Sequence, residues 1–331
     1  MELLRATRSG LHCDAGQFVI DPTRKAKVAV VTHAHSDHAR PGSELYHCSR
    51  EGERVMRARV GKDANIVGHE WGAPFELGGV RVSLHPAGHI RGSAQVRVEH
   101  GGEVWVASGD YKRESDPTCT PFEVVPCDVF ITEATFALPI YRWEPTEVVV
   151  REIWEWWQAN KLAGKTSLLF CYSLGKAQRV LAGLTQFTNE TAYLHGAALP
   201  LTALYRDDGV AMLPTESATV EGSGEKFEGA LVIAPPSASR TTWMRRFKKS
   251  ETAFASGWMR VRGIRRGRGW DRGFVLSDHV DWPGIIETVD ACGASRVLAT
   301  HGRTDVLVRY LRERGLDADA LETAYGSGED A

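Results

Sequence analysis

The segment VVTHAHSDHARPG at residues 30–42 puts His33, His35, Asp37 and His38 within six residues. Imidazole and carboxylate side chains at this spacing suit Zn²⁺ or Mn²⁺, which take nitrogen and oxygen ligands at roughly 2.0–2.2 Å. One tetrahedral ion cannot use all four and still leave a position for water, so the segment asks for further ligands and a second metal. The apolar run Val28, Ala29, Val30 and Val31 in front of it reads as a buried strand that ends at Thr32 and carries the ligands on the following turn.

The elements that must position such a site recur along the chain. VRVSLHPAGH leads to His89, EVWVASGD to Asp110, DVFITE to Glu133, FVLSDH to His279 and RVLATH to His301. Residues at the carboxyl ends of neighbouring strands share one edge of a sheet, so these endings predict a single site built on rigid elements. The endings stop at residue 133 and resume at 279. Between them PTEVVVREIWEWWQANK reads as a helix, with Pro145 in its first turn and Val149, Ile153, Trp156 and Trp157 on its apolar face. TSLLFCYS then reads as a strand, LGKAQRVLAGLTQF as a helix and GALVIAPP as a strand. The pattern predicts a metal domain made of residues 1–142 and 258–331, interrupted by an α/β insert at 143–257 that forms the second wall of a cleft. AGKTS at 163–167 lacks the earlier glycine and the strand–loop–helix order of a phosphate-binding loop, so nucleotide binding is not expected there.

The chain's 331 residues, 43% of them hydrophobic, allow two domains, and the net charge of −2 does not announce a nucleic-acid binder. The amino terminus shows no apolar signal-peptide core, and no run of 18 apolar residues occurs, so a cytoplasmic protein without a membrane partner is expected. Cys13, Cys48, Cys119, Cys127, Cys171 and Cys292 form no CxxC pair and read as reduced thiols. His12, His47, His69, His85, His100 and His195 follow no recurring pattern and read as surface or core residues.

Charge is concentrated locally. Residues 240–272 hold Arg240, Arg245, Arg246, Lys248, Lys249, Arg260, Arg262, Arg265, Arg266, Arg268 and Arg272 against only Glu251 and Asp271, with Trp243, Phe247, Trp258 and Trp270 interleaved. Cations with aromatics suit a single-stranded backbone and its stacked bases. Arg265, Arg266 and Arg268, with the hydroxyls of Ser237 and Ser239, are the candidate substrate contacts.

The HxHxDH motif at 33–38, His89 in PAGHIRGSAQV and Asp110 in SGDYKR resemble the metallo-β-lactamase fold. Glu133 in TEATF, His279 in SDHVDW and His301 in THGRTD resemble the added motifs of the β-CASP nucleases. DPTCTPFE, FALPIYRW and the short length most resemble the bacterial branch of ligase-associated DNA exonucleases, and the likeness runs along nearly the whole chain. It implies an α/β architecture, a four-layer αββα sandwich with an inserted β-CASP cap. It implies two divalent ions, Zn or Mn, one taking His33, His35, His89 and Asp110, the other Asp37, His38, His301 and the shared Asp110. His279 then serves as general acid with Glu133 orienting its ring, Asp37 belongs with the catalytic groups, and Asp21 supports the ligands from behind, with Asp14 as its rival. The implied activity is exonucleolytic cleavage of single-stranded DNA in repair, 5′-to-3′ with 5′-phosphate products, DNA being preferred over RNA. A DNA ligase and a helicase are the implied partners. Two departures stand out: Ala134 follows Glu133 where the family places Ser or Thr, and His301 is the arrangement of the RNA-cleaving members. An RNA-processing ribonuclease is therefore the alternative.

Overall fold

The computed structural model describes residues 2–218, 224–261 and 269–322. The chain forms two compact units, one of Met1–Arg142 with the chain from His279 onward, the other of Trp143–Asp278.

The first unit holds two sheets. One runs in chain order through Arg5–Thr7, Gly10–Cys13, Phe18–Ile20, Val28–Val30, Leu45–Ser49 and Ile66–His69. The other is ordered Asp317–Ala320, Arg296–Thr300, Val129–Glu133, Glu103–Ala107, Ala94–His100, Val80–Pro86 and Phe75–Leu77. Leu11, Phe18, Ile20 and Val30 of the first sheet and Val82, Leu84, Val96, Val98 and Trp105 of the second form one buried cluster. Burying each such aliphatic side chain contributes about 1.5–3 kcal/mol, which holds the sheets face to face. The opposite face of the second sheet is covered by helices Trp282–Cys292 and Thr304–Glu313, whose Ile285, Val289, Leu307 and Leu311 meet Val106, Phe130, Val297 and Ala299. Helix Glu53–Val60 turns Val55, Met56 and Val60 inward beside strands Leu45–Ser49 and Ile66–His69.

Register brings the strand endings together. Val129–Glu133 lies parallel to Glu103–Ala107 on one side and to Arg296–Thr300 on the other, with Ala107 opposite Ile131 and Glu133 opposite Thr300. The turns carrying Asp110 and His301 therefore leave the sheet on either side of Glu133. In the first sheet Ile20 lies parallel and opposite Val30, so Asp21 and Thr32 emerge side by side. The Ala94 N–H donates to the Thr32 carbonyl at 2.8 Å and ties the two sheets at this edge. The endings thus come from two stacked sheets, not from the single sheet edge that the repeated strand pattern predicts.

The second unit is a parallel sheet ordered Thr215–Ser217, Ala192–Leu194, Leu231–Ala234, Thr166–Phe170, Ser250–Ala255 and Arg272–Phe274. Its central strands are apolar on both faces, as parallel strands between two packed layers must be. Leu169, Leu231 and Ile233 face one cluster, with Val149, Ile153, Trp156 and Trp157 of helix Thr146–Leu162; Leu168, Phe170 and Val232 face the other. Arg272–Phe274 joins this sheet beside Ala253, Phe254 and Ala255, so the chain to Asp278 lies in this unit. The sequence pattern places the return to the metal domain at residue 258; the long-range edge pairing moves that return to His279. The aromatics of the basic stretch also differ from expectation. Phe247 is buried in this unit's apolar cluster, and the half-buried Trp243, Trp258 and Trp270 pack against it, with Trp270 stacked on Phe254 at 5.6 Å, so each turns at least one face to the core. Among the described residues no helix is long and apolar enough to cross a membrane.

Candidate metal centre

Four side chains of the first unit converge. His35 Nδ1 lies 3.1 Å from both His33 Nε2 and His89 Nε2. Asp110 Oδ2 lies 3.4 Å from His33 Nε2 and 3.9 Å from His89 Nε2. All four ligand atoms fall within 4.8 Å of one another. Ligands held at roughly 2.0–2.2 Å around a tetrahedral ion stand about 3.3–3.6 Å apart, so these spacings fit a metal ion.

The same Asp110 oxygen faces a second set. His38 Nε2 is 3.4 Å from Asp110 Oδ2 and 3.6 Å from Asp37 Oδ2. The His301 ring stacks on that of His38 with centroids 5.6 Å apart, a looser grouping than the first. Behind His38, its Nδ1 lies 2.7 Å from Asp21 Oδ2. Thr32 donates its N–H to Asp21 Oδ1 at 2.7 Å and its hydroxyl to Asp21 Oδ2 at 2.6 Å. Asp21 and His301 both hold left-handed backbone conformations, with φ of 46° and 59°. Such conformations are uncommon without glycine and gather at functional sites. Asp14, the rival to Asp21, is instead an exposed partner of Arg5 at 3.0 Å.

A third grouping adjoins the first. His279 Nδ1 lies 2.8 Å from Glu133 Oε2, and the Tyr111 N–H donates to Glu133 Oε1 at 2.8 Å, so both carboxylate oxygens are engaged. The His279 ring stands 4.7 Å from that of His89. Asp110, Glu133 and His279 also offer three ligand atoms within 4.8 Å of one another.

The electrostatics favour a cation here. Burial, with the neighbouring His38, drives His33 well below the ordinary imidazole range, leaving the neutral ring that a metal requires. Burial likewise lowers His301, against the pull of Asp110. At His38 burial is overcome by Asp110, Asp21 and Asp37, which together hold its pKa well above the usual value. Burial opposes ionisation of Asp110, but His38, His279 and His33 surround it and keep it well below the carboxylate range. Glu133 is raised by burial and by Asp110, while His279 acts against that shift.

The remaining expected site residues fall elsewhere. Ser237 and Ser239 lie in the second unit, on and just after the 3₁₀ turn Pro236–Ala238 that follows strand Leu231–Ala234; Ser237 is exposed and Ser239 half-buried. Arg265, Arg266 and Arg268 lie outside the described residues. Two groups escape the sequence reading. Thr32, next to His33, holds Asp21 twice, and its place at a strand end before the motif is the available signal. The Tyr111 N–H holds Glu133 through the backbone, which no side-chain pattern reveals.

No family model matches the chain. A protein named "Probable DNA ligase" from Opitutus terrae is 34% identical over 324 residues, covering 94% of this chain and 30% of that one. "Ribonuclease TTHA0252" from Thermus thermophilus is 28% identical over 224 residues, covering 59% of this chain and 49% of that one. The chain thus spans about a third and about half of the lengths of these two relatives. A crystal structure titled as a protein of unknown function from Enterococcus faecalis V583 superposes with a TM-score of 0.57 at 10% identity, covering 82% of this chain and 74% of that one, a likeness of fold alone.

Proposed function

We propose that the chain is a two-metal phosphodiesterase of the metallo-β-lactamase fold, with a β-CASP cap, that degrades single-stranded DNA from an end and leaves 5′-phosphates. The observation that carries this reading is the placement of Asp110 Oδ2 at 3.4 Å from both His33 Nε2 and His38 Nε2, which suits a carboxylate shared by two ions. His33, His35 and His89 would hold one Zn²⁺ or Mn²⁺ with Asp110; Asp37, His38 and His301 would hold the other. Bound there, the ions supply a nucleophile at neutral pH and positive charge for the phosphoryl oxygens.

The protein's own groups do the rest. With Nδ1 against Glu133, His279 would donate a proton from Nε2 to the leaving 3′-oxygen, so the scissile phosphate stays on the 5′-oxygen of the nucleotide that follows. Glu133, pinned through both oxygens, fixes the ring and its tautomer. Asp21 and Thr32 steady His38. Arg265, Arg266 and Arg268 would track the phosphate backbone, with Ser237 and Ser239 as further phosphate contacts.

The choice of DNA is supported by the ligase-named relative, which matches nearly the whole of this chain. A ligase, a helicase and a cytoplasmic repair setting follow as companions of that choice. The ribonuclease reading is favoured by a different observation, the presence of His301 together with the ribonuclease-named relative. One labelled strand, offered as DNA and as RNA, marked at each end in turn and also closed into a circle, separates them. Consumption of linear DNA from its 5′ end with a resistant circle supports the proposal. Preference for the RNA strand transfers it to the ribonuclease reading, and rapid cutting of the circle removes the requirement for an end.

A further inference from the structure

The second unit buries three charges that the proposed chemistry does not use. Lys176, Arg179 and Asp278 are only 2%, 2% and 1% exposed. Lys176 Nζ lies 3.2 Å from Asp278 Oδ2, and Arg179 Nη1 donates to Asp278 Oδ1 at 2.7 Å. The same Arg179 nitrogen donates to the Ser277 carbonyl at 2.9 Å. Lys176 opens helix Lys176–Leu184 and Arg179 stands three residues further on, so both project from one face and meet one carboxylate. The start of a helix carries partial positive charge, which makes it a poor place for two cations without an anion against them. Desolvating charges is costly, and apolar side chains of similar volume often give a more stable fold. Stability alone is therefore a weak reason for this network, and what it holds in place is a better one.

We propose that Arg179 and Asp278, backed by Lys176, are positioning residues that fix the backbone from which the His279 ring is presented. This rests on the reading of His279 as proton donor and deepens it. The three ion-pair and carbonyl contacts lie within the second unit, and His279 is the next residue of the chain. The network grips the two residues before His279 by a side chain and by a main-chain carbonyl, Asp278 and Ser277 respectively. The ring is held at its other end, where Nδ1 meets Glu133 Oε2 at 2.8 Å. Only two side-chain torsions separate these ends. A backbone shift at Asp278 must then be taken up by the ring or by its contact with Glu133. Misplacing a reacting group by about 1 Å can lower a rate by about 10²-fold.

A double-mutant cycle with His279→Ala tests this. Asp278→Asn removes the negative charge from between two buried cations and is the harsher change. Arg179→Met keeps one cation against one anion, and it carries the same readings if Asp278→Asn does not fold. Each is made alone and with His279→Ala, and kcat, KM and metal content are measured on a labelled DNA strand and on a p-nitrophenyl phosphodiester, whose leaving group needs no proton. The expected result is a kcat lowered roughly 10–10²-fold on DNA, with KM and metal content as in the wild type. Little further loss should follow in the His279→Ala background, and the p-nitrophenyl diester should be cleaved at close to the wild-type rate. A slow His279→Ala beside Arg179→Met at full kcat overturns this proposal alone. So do losses that multiply with that of His279→Ala, a fall confined to KM, or metal lost in step with the rate. His279→Ala at the wild-type rate overturns the proton-donor reading, and this proposal with it.

Discussion

Glu133 Oε2 and His279 Nδ1 stand 2.8 Å apart although 146 residues separate them. The contact spans the point where the first unit is interrupted, and in the proposed function the other ring nitrogen of His279 is the proton donor. On the proposed reading, His279→Ala slows cleavage by about 10²–10⁴-fold, the usual contribution of a general acid. Its metal content should match the wild type, and a substrate with an activated leaving group should recover part of the rate. Metal lost in step with activity would make His279 a ligand, as its grouping with Asp110 and Glu133 also permits.

Asp21 accepts two hydrogen bonds from Thr32 and pairs with His38, whereas Asp14 is an exposed partner of Arg5. Asp21→Ala should weaken metal binding by about 10–100-fold, the range seen when a group supporting a ligand is removed. Asp14→Ala should leave metal binding unchanged and alter stability by no more than about 0.5 kcal/mol. Titration of the two variants with Zn²⁺ or Mn²⁺ checks both; equal affinities would remove Asp21 from the supporting role.

Gly302 follows His301 with φ of 66°, and a β-carbon there would come within 2.3 Å of the Ala134 carbonyl oxygen. The obstacle is backbone and cannot swing aside. Gly302→Ala should cost upwards of about 1 kcal/mol through its unfavourable conformation and the clash, and it should disturb His301 in particular. Thermal melting and metal content measure the two effects. A variant as stable as the wild type, with full metal loading, would contradict this account of the turn.

His47 and His69 face each other at 2.8 Å, and His69 stacks on Phe75 at 3.6 Å. Burial, with His69 beside it, lowers His47 to about 4. An unfolded histidine takes up its proton near about 6.5, so the unfolded chain is protonated first as pH falls. The stability that neutral His47 contributes is therefore full above that value and is lost as pH drops towards 4. Between about pH 7 and about pH 4.5, a window in which most of that loss falls, the melting temperature of His47→Phe should fall less than that of the wild type. Parallel declines would show that this pair does not govern acid sensitivity.

The candidate ligands are legible because each follows a short apolar strand, and a buried strand is a local signal. Val129–Glu133 is buried at all five positions, and its neighbours Glu103–Ala107 and Arg296–Thr300 are also largely apolar. What the sequence does not show depends on pairing between distant segments. The edge strand Arg272–Phe274 reads as well as a return to the first unit as it does as a sixth strand of the second, and only its register with Ala253, Phe254 and Ala255 decides. Trp243, Trp258 and Trp270 read as stacking platforms because arginines surround them, yet all three pack against an apolar cluster assembled from several strands, Trp243 against Phe247 and Trp270 against Phe170 and Phe254. The stacking of two sheets at the site is equally nonlocal, since it follows from the shared cluster around Trp105.

The central claim is that Asp110 serves two ions at once, and metal stoichiometry tests it most directly. Protein purified without chelator and loaded with Zn²⁺ or Mn²⁺ is analysed for its elements, beside Asp37→Ala and Asp110→Ala. The account predicts two ions per chain in the wild type, one in Asp37→Ala, and weakened binding of both in Asp110→Ala. A stoichiometry of one that does not rise with added metal, or an Asp37→Ala variant that still holds two, would contradict it.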